Sequence, residues 1–165
     1  NETSTLKLST LILENFKSFL GRNEIGYFQD FSVVLGPNGS GKSNIIDAIS
    51  FVLGLNAQQL RTRNLKELIY HPHNSSSLNS QKNCSVEIIF ENESKEEISF
   101  KRVVNSNGVS SFYYNNKKLT QEDYIEQLIE MNIPVQSMFF ILGQGGVDSL
   151  LSLKRHRIEH LIETI

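Results

Sequence analysis

The run Gly36-Pro-Asn-Gly-Ser-Gly-Lys42-Ser43 constrains this chain more than any other stretch, because it meets G-x-x-x-x-G-K-[ST] at every required position. Its flanks agree with it. Phe31–Leu35 is short, apolar and β-branched, which predicts a buried strand. Ile45, Ile46, Ile49, Val52 and Leu53 follow at helical spacing, and Gly54 stands where a C-terminal cap belongs. Strand, glycine-rich loop and helix in that order make a phosphate cradle. Glycines let the backbone turn its N–H groups inward, and the positive end of the helix faces the same anion. The residues expected to contact nucleotide are Gly36, Pro37, Asn38, Gly39, Ser40, Gly41, Lys42, Ser43 and Asn44. Lys42 is expected to neutralise β- and γ-phosphate oxygens, and the Ser43 hydroxyl to ligate Mg²⁺ beside a bound ATP.

A hydrolase of this type also needs an acid at the end of a second buried strand, to hold Mg²⁺ and position water. The nearest mimic is Ile88-Ile89-Phe90-Glu91. Its alternation and its Glu/Asn/Lys-rich flank predict a half-exposed antiparallel strand instead, so Glu91 is a decoy. The residues that complete hydrolysis are therefore expected outside this chain.

Elsewhere, Leu6 to Phe16 predicts a long strand whose alternation blurs midway, with Gly21 as a turn signal before a second strand at Glu24–Phe28. Residues 74–85 are polar and predict a loop. Cys84–Phe90, Ile98–Val104 and Val109–Tyr114 alternate like an antiparallel meander, with Asn107-Gly108 as a hairpin turn. Thr120 with Asp123 three residues on predicts a helix start, the helix running through about Met131 and stopping near Pro134. Gln136–Leu142 is a further strand candidate, and the spacing from Leu150 to Ile165 predicts an amphipathic helix.

The formal net charge of −2 favours no particular partner, so any nucleic acid must be met by a local patch. Lys82, Lys101, Arg102, Lys117 and Lys118, with Tyr113 and Tyr114, are candidates for such a patch; interleaved Glu93, Glu96 and Glu97 fit an ordinary solvated sheet edge as well. His71 and His73 read as loop residues, and the single cysteine, Cys84, as a small buried one. No run of the ~18 apolar residues that span a bilayer is present, so no membrane is expected.

Several landmarks at fixed spacing then resemble the N-terminal head lobe of SMC (structural maintenance of chromosomes) proteins. Leu13-Glu-Asn-Phe-Lys-Ser-Phe19 is similar to their opening strand, and Gly36–Ser50 to their P-loop and its helix. Phe51–Gly54, Leu60-Arg61 and Leu68-Ile69 follow in the family's order, and Gly143–Ser149 resembles its Q-loop. Within the family the wording is most similar to the cohesin branch, with bacterial SMC and condensin subunits next. The resemblance implies an ABC-type α/β lobe: a mixed sheet around the P-loop helix, with an antiparallel subdomain at 84–119. Residues 1–165 would form one N-terminal half of a head, the final helix leading toward a coiled coil.

The resemblance also implies roles. Gln144 would ligate Mg²⁺ or orient the attacking water, Arg61 would approach the phosphates and respond to DNA, with Arg63 a competitor, and Lys17 would reach the nucleotide from the first strand. Implied partners are the protein's own C-terminal head lobe, a second SMC head, a bridging kleisin-type subunit, and DNA bound without regard to sequence. The implied location is the chromosome, nuclear in a eukaryote and cytoplasmic in a prokaryote. Three other readings stand beside this one: a RecF-like or break-repair ATPase, a self-sufficient P-loop kinase or GTPase, and a module that binds ATP without hydrolysing it. The second lacks its acidic strand and its N/T-K-x-D motif in this sequence.

Overall fold

A computed structural model of the chain describes residues 6–26, 39–54, 62–70, 83–131 and 133, with only the backbone described at 39–43. The expected strands at 31–35 and 136–142, the loop at 74–82 and the helix at 150–165 lie outside the described residues.

The described strands are β1 (Lys7–Phe16), β2 (Phe19–Gly26), β3 (Cys84–Glu91), β4 (Glu97–Val104), β5 (Ser110–Tyr114) and β6 (Lys117–Leu119). They form one sheet in the order β2-β1-β3-β4-β5-β6, each neighbour antiparallel. The meander at 84–119 is therefore continuous with the β1–β2 hairpin through the β1–β3 pairing. Helix α1 (Gly39–Val52) carries the phosphate-loop residues, and α2 (Gln121–Glu130) follows β6.

The blurred alternation of β1 has a simple cause. From Leu8 to Leu13 every residue is buried, so both faces of this strand are covered and the sequence has no polar face to keep. Leu11, Leu13 and Phe16 join Val86, Ile88 and Phe90 of β3 and Phe100 of β4 in the main core. Ile45, Ala48, Ile49 and Val52 of α1 belong to the same cluster, which is the stripe the helical spacing predicted. α2 contributes Tyr124, Ile125 and Leu128. Its N-cap is as expected: the Thr120 hydroxyl accepts from the Asp123 N–H at 3.1 Å.

Turn chemistry explains the hairpins. Asn105 accepts from the N–H groups of Asn107 and Val109 through its side-chain oxygen, and Gly108 supplies φ +79°. β5 begins at Ser110, one residue later than expected, with Val109 exposed. The first hairpin corrects the sequence reading. Its turn is Lys17-Ser18, not Gly21, and β2 starts at Phe19 rather than Glu24. Asn15 and Lys17 both adopt left-handed backbone (φ 51° and 50°), and the β1–β2 register shifts between Glu14 and Phe16. Gly21 lies inside β2 with φ +71°, its N–H donating to Asn15 Oδ1 at 2.8 Å. A bulge glycine and a turn glycine look alike in sequence.

Candidate nucleotide-binding site

α1 opens at Gly39, inside the glycine-rich motif, so the loop residues are themselves the first helical turn. The first four N–H groups of an α-helix have no partner within it. Here they belong to Gly39, Ser40, Gly41 and Lys42, with Ser43 next in line. No acidic residue lies in that turn to repel an anion. These backbone features fit a phosphate group.

The Lys17-Ser18 turn docks on the side of this helix. Asn44 donates from Nδ2 to Ser18 Oγ at 2.6 Å, and one turn further along Asp47 pairs with the Lys17 ammonium. The expected nucleotide contacts at Asn44 and Lys17 thus come together, each engaged with the other's element. The left-handed Lys17 is held on a second side as well. Its N–H donates to Leu68 O at 2.7 Å, and Tyr70 N–H donates to Asn15 O at 2.7 Å. Those bonds, with a bridge between Phe16 and Ile69, stitch the 3-10 helix Leu65–Leu68 to the end of β1. The segment that follows Arg61 therefore runs beside the Lys17 turn. Arg63 is exposed, its N–H donating to Glu67 Oε2 at 3.2 Å. Arg61, Gln144 and Gly36–Asn38 lie outside the described residues.

The other end of α1 holds residues whose role the sequence reading missed. Arg102 of β4 is only 2% exposed, with its guanidinium 4.4 Å from the Phe51 ring centre and 5.0 Å from that of Phe112. It donates from Nη1 to Phe51 O at 2.9 Å and from Nε to Ser110 Oγ at 3.1 Å. The Tyr124 hydroxyl donates to Val52 O at 2.5 Å. A buried cation and a phenol therefore satisfy carbonyls that a helix C-terminus leaves without partners, at its negative end. Gly54, at φ +100°, completes the stop, with its N–H donating to Phe51 O at 3.1 Å. The legible signal was phase: Arg102 alternates with Ile98, Phe100 and Val104, the buried set of β4.

This burial corrects the candidate basic patch. Arg102 leaves it, and so does Tyr114, which packs on Phe100 at 5.1 Å and reaches Met131 Sδ with its hydroxyl at 3.9 Å. What stays aligned is a cross-strand row, Lys101 opposite Tyr113 and Tyr113 opposite Lys118, continued by Glu87 opposite Lys101. Lys82, His71 and His73 lie outside the described residues. Glu91 pairs with Lys7 and Glu97 in antiparallel ladders at the end of β3, as expected of the decoy. Among the described residues no three His, Cys, Asp or Glu side chains group as metal ligands, and no helix is long and apolar enough to cross a membrane.

Burial sets the titration of this region. It pushes the Cys84 thiol up to about 12 and the Tyr124 phenol upward, and lowers Arg102 to about 10. Unfolded Cys84 titrates near 9.0 and folded Cys84 near 12, so its contribution is fully present below pH 9 and is lost as pH rises toward 12. Tyr124 acts in the same sense from pH 10 upward. Arg102 acts in the opposite sense, since burial lowers it, and only above about pH 10. The clean window is pH 9–10. There the urea midpoint falls by the equivalent of about 1 kcal/mol on account of Cys84, and Cys84→Ala removes that part of the slope.

Residues 7–153 match the family model described as RecF/RecN/SMC N terminal domain. The chain is 41% identical over 143 residues to structural maintenance of chromosomes protein 1B of Homo sapiens, covering 87% of this chain and 11% of that protein. It is 36% identical over 159 residues to structural maintenance of chromosomes protein 1 of Arabidopsis thaliana, covering 96% of this chain and 13% of that one. It thus spans only about an eighth of the length of the curated relatives it matches. Among solved structures, one described under "ATP-driven dimerization and DNA stimulated activation of SMC ATPases" superposes with TM-score 0.68 at 30% identity, over 93% of this chain and 98% of that one. The Smc head of Pyrococcus furiosus, solved with the C-terminal domain of ScpA, gives TM-score 0.63 at 30% identity, over 77% of this chain and 33% of that one. A RecF–ATP structure shares the fold alone, at 17% identity and TM-score 0.54, over 74% of this chain and 31% of that one.

Proposed function

The chain belongs to the RecF/RecN/SMC N-terminal domain family, and from that premise we propose that residues 1–165 are the ATP-binding half of an SMC-type head. The observation that carries this reading is that α1 begins within Gly36–Ser43, free of acidic residues in its first turn and braced by Asn44 and Asp47 against the Lys17-Ser18 turn. Bound Mg-ATP supplies the scissile phosphoanhydride. The residues of this chain hold it. Backbone N–H groups at 39–42 and the Lys42 ammonium neutralise the phosphates, Ser43 and Gln144 ligate Mg²⁺, and the remaining loop residues shape the cradle. Lys17, already paired with Asp47 beside the helix, contacts the nucleotide from the first hairpin.

This half provides no catalytic carboxylate, so hydrolysis is completed by the C-terminal head lobe and a second SMC head, with a kleisin-type subunit bridging them. ATP then joins the heads and hydrolysis releases them, in chromosome cohesion or organisation at the nuclear chromosome (or in the cytoplasm of a prokaryote). The ScpA-bound head and the ATP-driven SMC dimers among the structural relatives support these partners. The cohesin branch is favoured by the likeness to SMC proteins 1 and 1B. Binding of a non-hydrolysable Mg-ATP analogue at one site per chain tests the reading, and an absence of binding removes it.

DNA enters through Arg61. In reconstituted head pairs, Arg61→Ala lowers the DNA-stimulated ATPase rate several-fold more than the basal rate. Equal loss of both rates would reduce Arg61 to a general phosphate contact. Arg63→Ala, run beside it as the neighbouring competitor, leaves the stimulation within twofold.

A further inference from the structure

We propose that Arg102 is a positioning residue for nucleotide binding, one that, with Tyr124, locks the far end of the phosphate-loop helix and so sets where its N-terminal N–H groups stand. The inference rests on the ATP-binding reading above. α1 has 14 residues, about 21 Å of helix at 1.5 Å per residue. Its buried apolar side is Ile45, Ala48, Ile49, Phe51 and Val52, a contact with no directional preference. Such a surface opposes separation far more strongly than it opposes a small slide along the axis. Directional bonds fix the axial setting, and they lie at both ends. Near the phosphates they are Asn44 to Ser18 and Asp47 to Lys17, both on one exposed or partly exposed turn. At the far end they are Arg102 to Phe51 O and Tyr124 to Val52 O, both buried.

The far-end lock is the stiffer of the two. The Arg102 guanidinium is planar, stacked between two rings and held on its Nε side by Ser110, which leaves it little room to follow a sliding helix. Tyr124 is fully buried and touches Phe100 and Phe112. A shift of about 1 Å in a group that positions phosphates is enough to change its contribution by up to about a hundredfold. Through this lock β4, β5 and α2 hold the helix whose opposite end faces the nucleotide.

Arg102→Lys keeps the charge and loses the stacked fork, and Tyr124→Phe loses only the hydroxyl. Each is placed in the protein assembled with its C-terminal head lobe and compared with Ile98→Ala, a core change on the same strand away from the lock. Affinities for a Mg-ATP analogue and for Mg-ADP are measured well below the melting point of every variant. Arg102→Lys weakens the ATP analogue about tenfold, and Tyr124→Phe about threefold. In both, the ratio of ATP-analogue to ADP affinity falls, because the terminal phosphate depends most on the helix N-terminus; Ile98→Ala leaves affinity and ratio within twofold despite its melting loss. If Arg102→Lys does not fold, Tyr124→Phe decides alone. Lowered melting with unchanged affinity and ratio in both lock variants overturns this proposal only. Unchanged affinity in Lys42→Ala overturns the phosphate-loop reading and this proposal with it.

Discussion

Replacing Lys42 by alanine removes most of the Mg-ATP affinity of this chain. On the proposed reading the loop gathers donors around an anion of several negative charges, and Lys42 adds the full positive charge that the helix N-terminus itself does not supply. Losing one partner of a partly dehydrated charge pair costs about 2–5 kcal/mol, much of it the penalty on the charge left behind. A loss near 3 kcal/mol corresponds to a Kd raised by about two orders of magnitude. Calorimetry with a non-hydrolysable analogue reads this directly, and melting curves without nucleotide show that the variant is folded. Ser43→Ala has a distinguishable signature, since the Mg²⁺ dependence of binding falls more than metal-free affinity. Unchanged affinity in Lys42→Ala would remove the phosphate-loop assignment altogether.

The helix of the candidate site was legible because phosphate chemistry demands particular residues at fixed spacing. Gly36 to Ser43 would carry the same meaning in any chain with a strand before it and a helix after it, and the helix is found at Gly39–Val52. The meander was legible for a different reason. Val86, Ile88 and Phe90, and Ile98, Phe100 and Val104, alternate because one face of each strand is wet. Where both faces are covered, as in β1 from Leu8 to Leu13, the alternation vanishes although the strand does not.

Side-chain partnerships across long sequence separations were not legible. Nothing in the order of residues says that Lys17 pairs with Asp47, thirty positions on, or that Asn44 holds Ser18. Arg102 illustrates the limit most clearly. Its position in the buried phase of β4 was visible, yet an arginine beside Lys101 reads first as surface charge. Only the fold brings it between Phe51 and Phe112, beneath the end of α1. Gly21 failed in the opposite direction: a residue type shared by turns and bulges was assigned to the wrong one.

On the proposed reading the chain supplies Lys42, Ser43 and Gln144 toward hydrolysis, and Glu91, the acid of suggestive context, ends an antiparallel strand paired on both sides. General-base assistance to the attacking water is worth about 10²–10⁴ in rate, so a half-site without its carboxylate turns over negligibly. Adding the C-terminal lobe completes the Mg²⁺ site. Activity is then still expected to await the proposed second head. Two heads acting together give a rate that rises more steeply than linearly with head concentration, until the dimer saturates.

The direct measurement is phosphate release by the purified chain alone, by the chain with its C-terminal lobe, and by the assembled head across a concentration series. No turnover above background is expected for the chain alone, and a steeper-than-linear rise for the assembled heads that Lys42→Ala and Gln144→Ala both abolish. A robust ATPase from the isolated, demonstrably pure chain, lost on Gln144→Ala and linear in concentration, would contradict it, with Glu91 the first residue to replace.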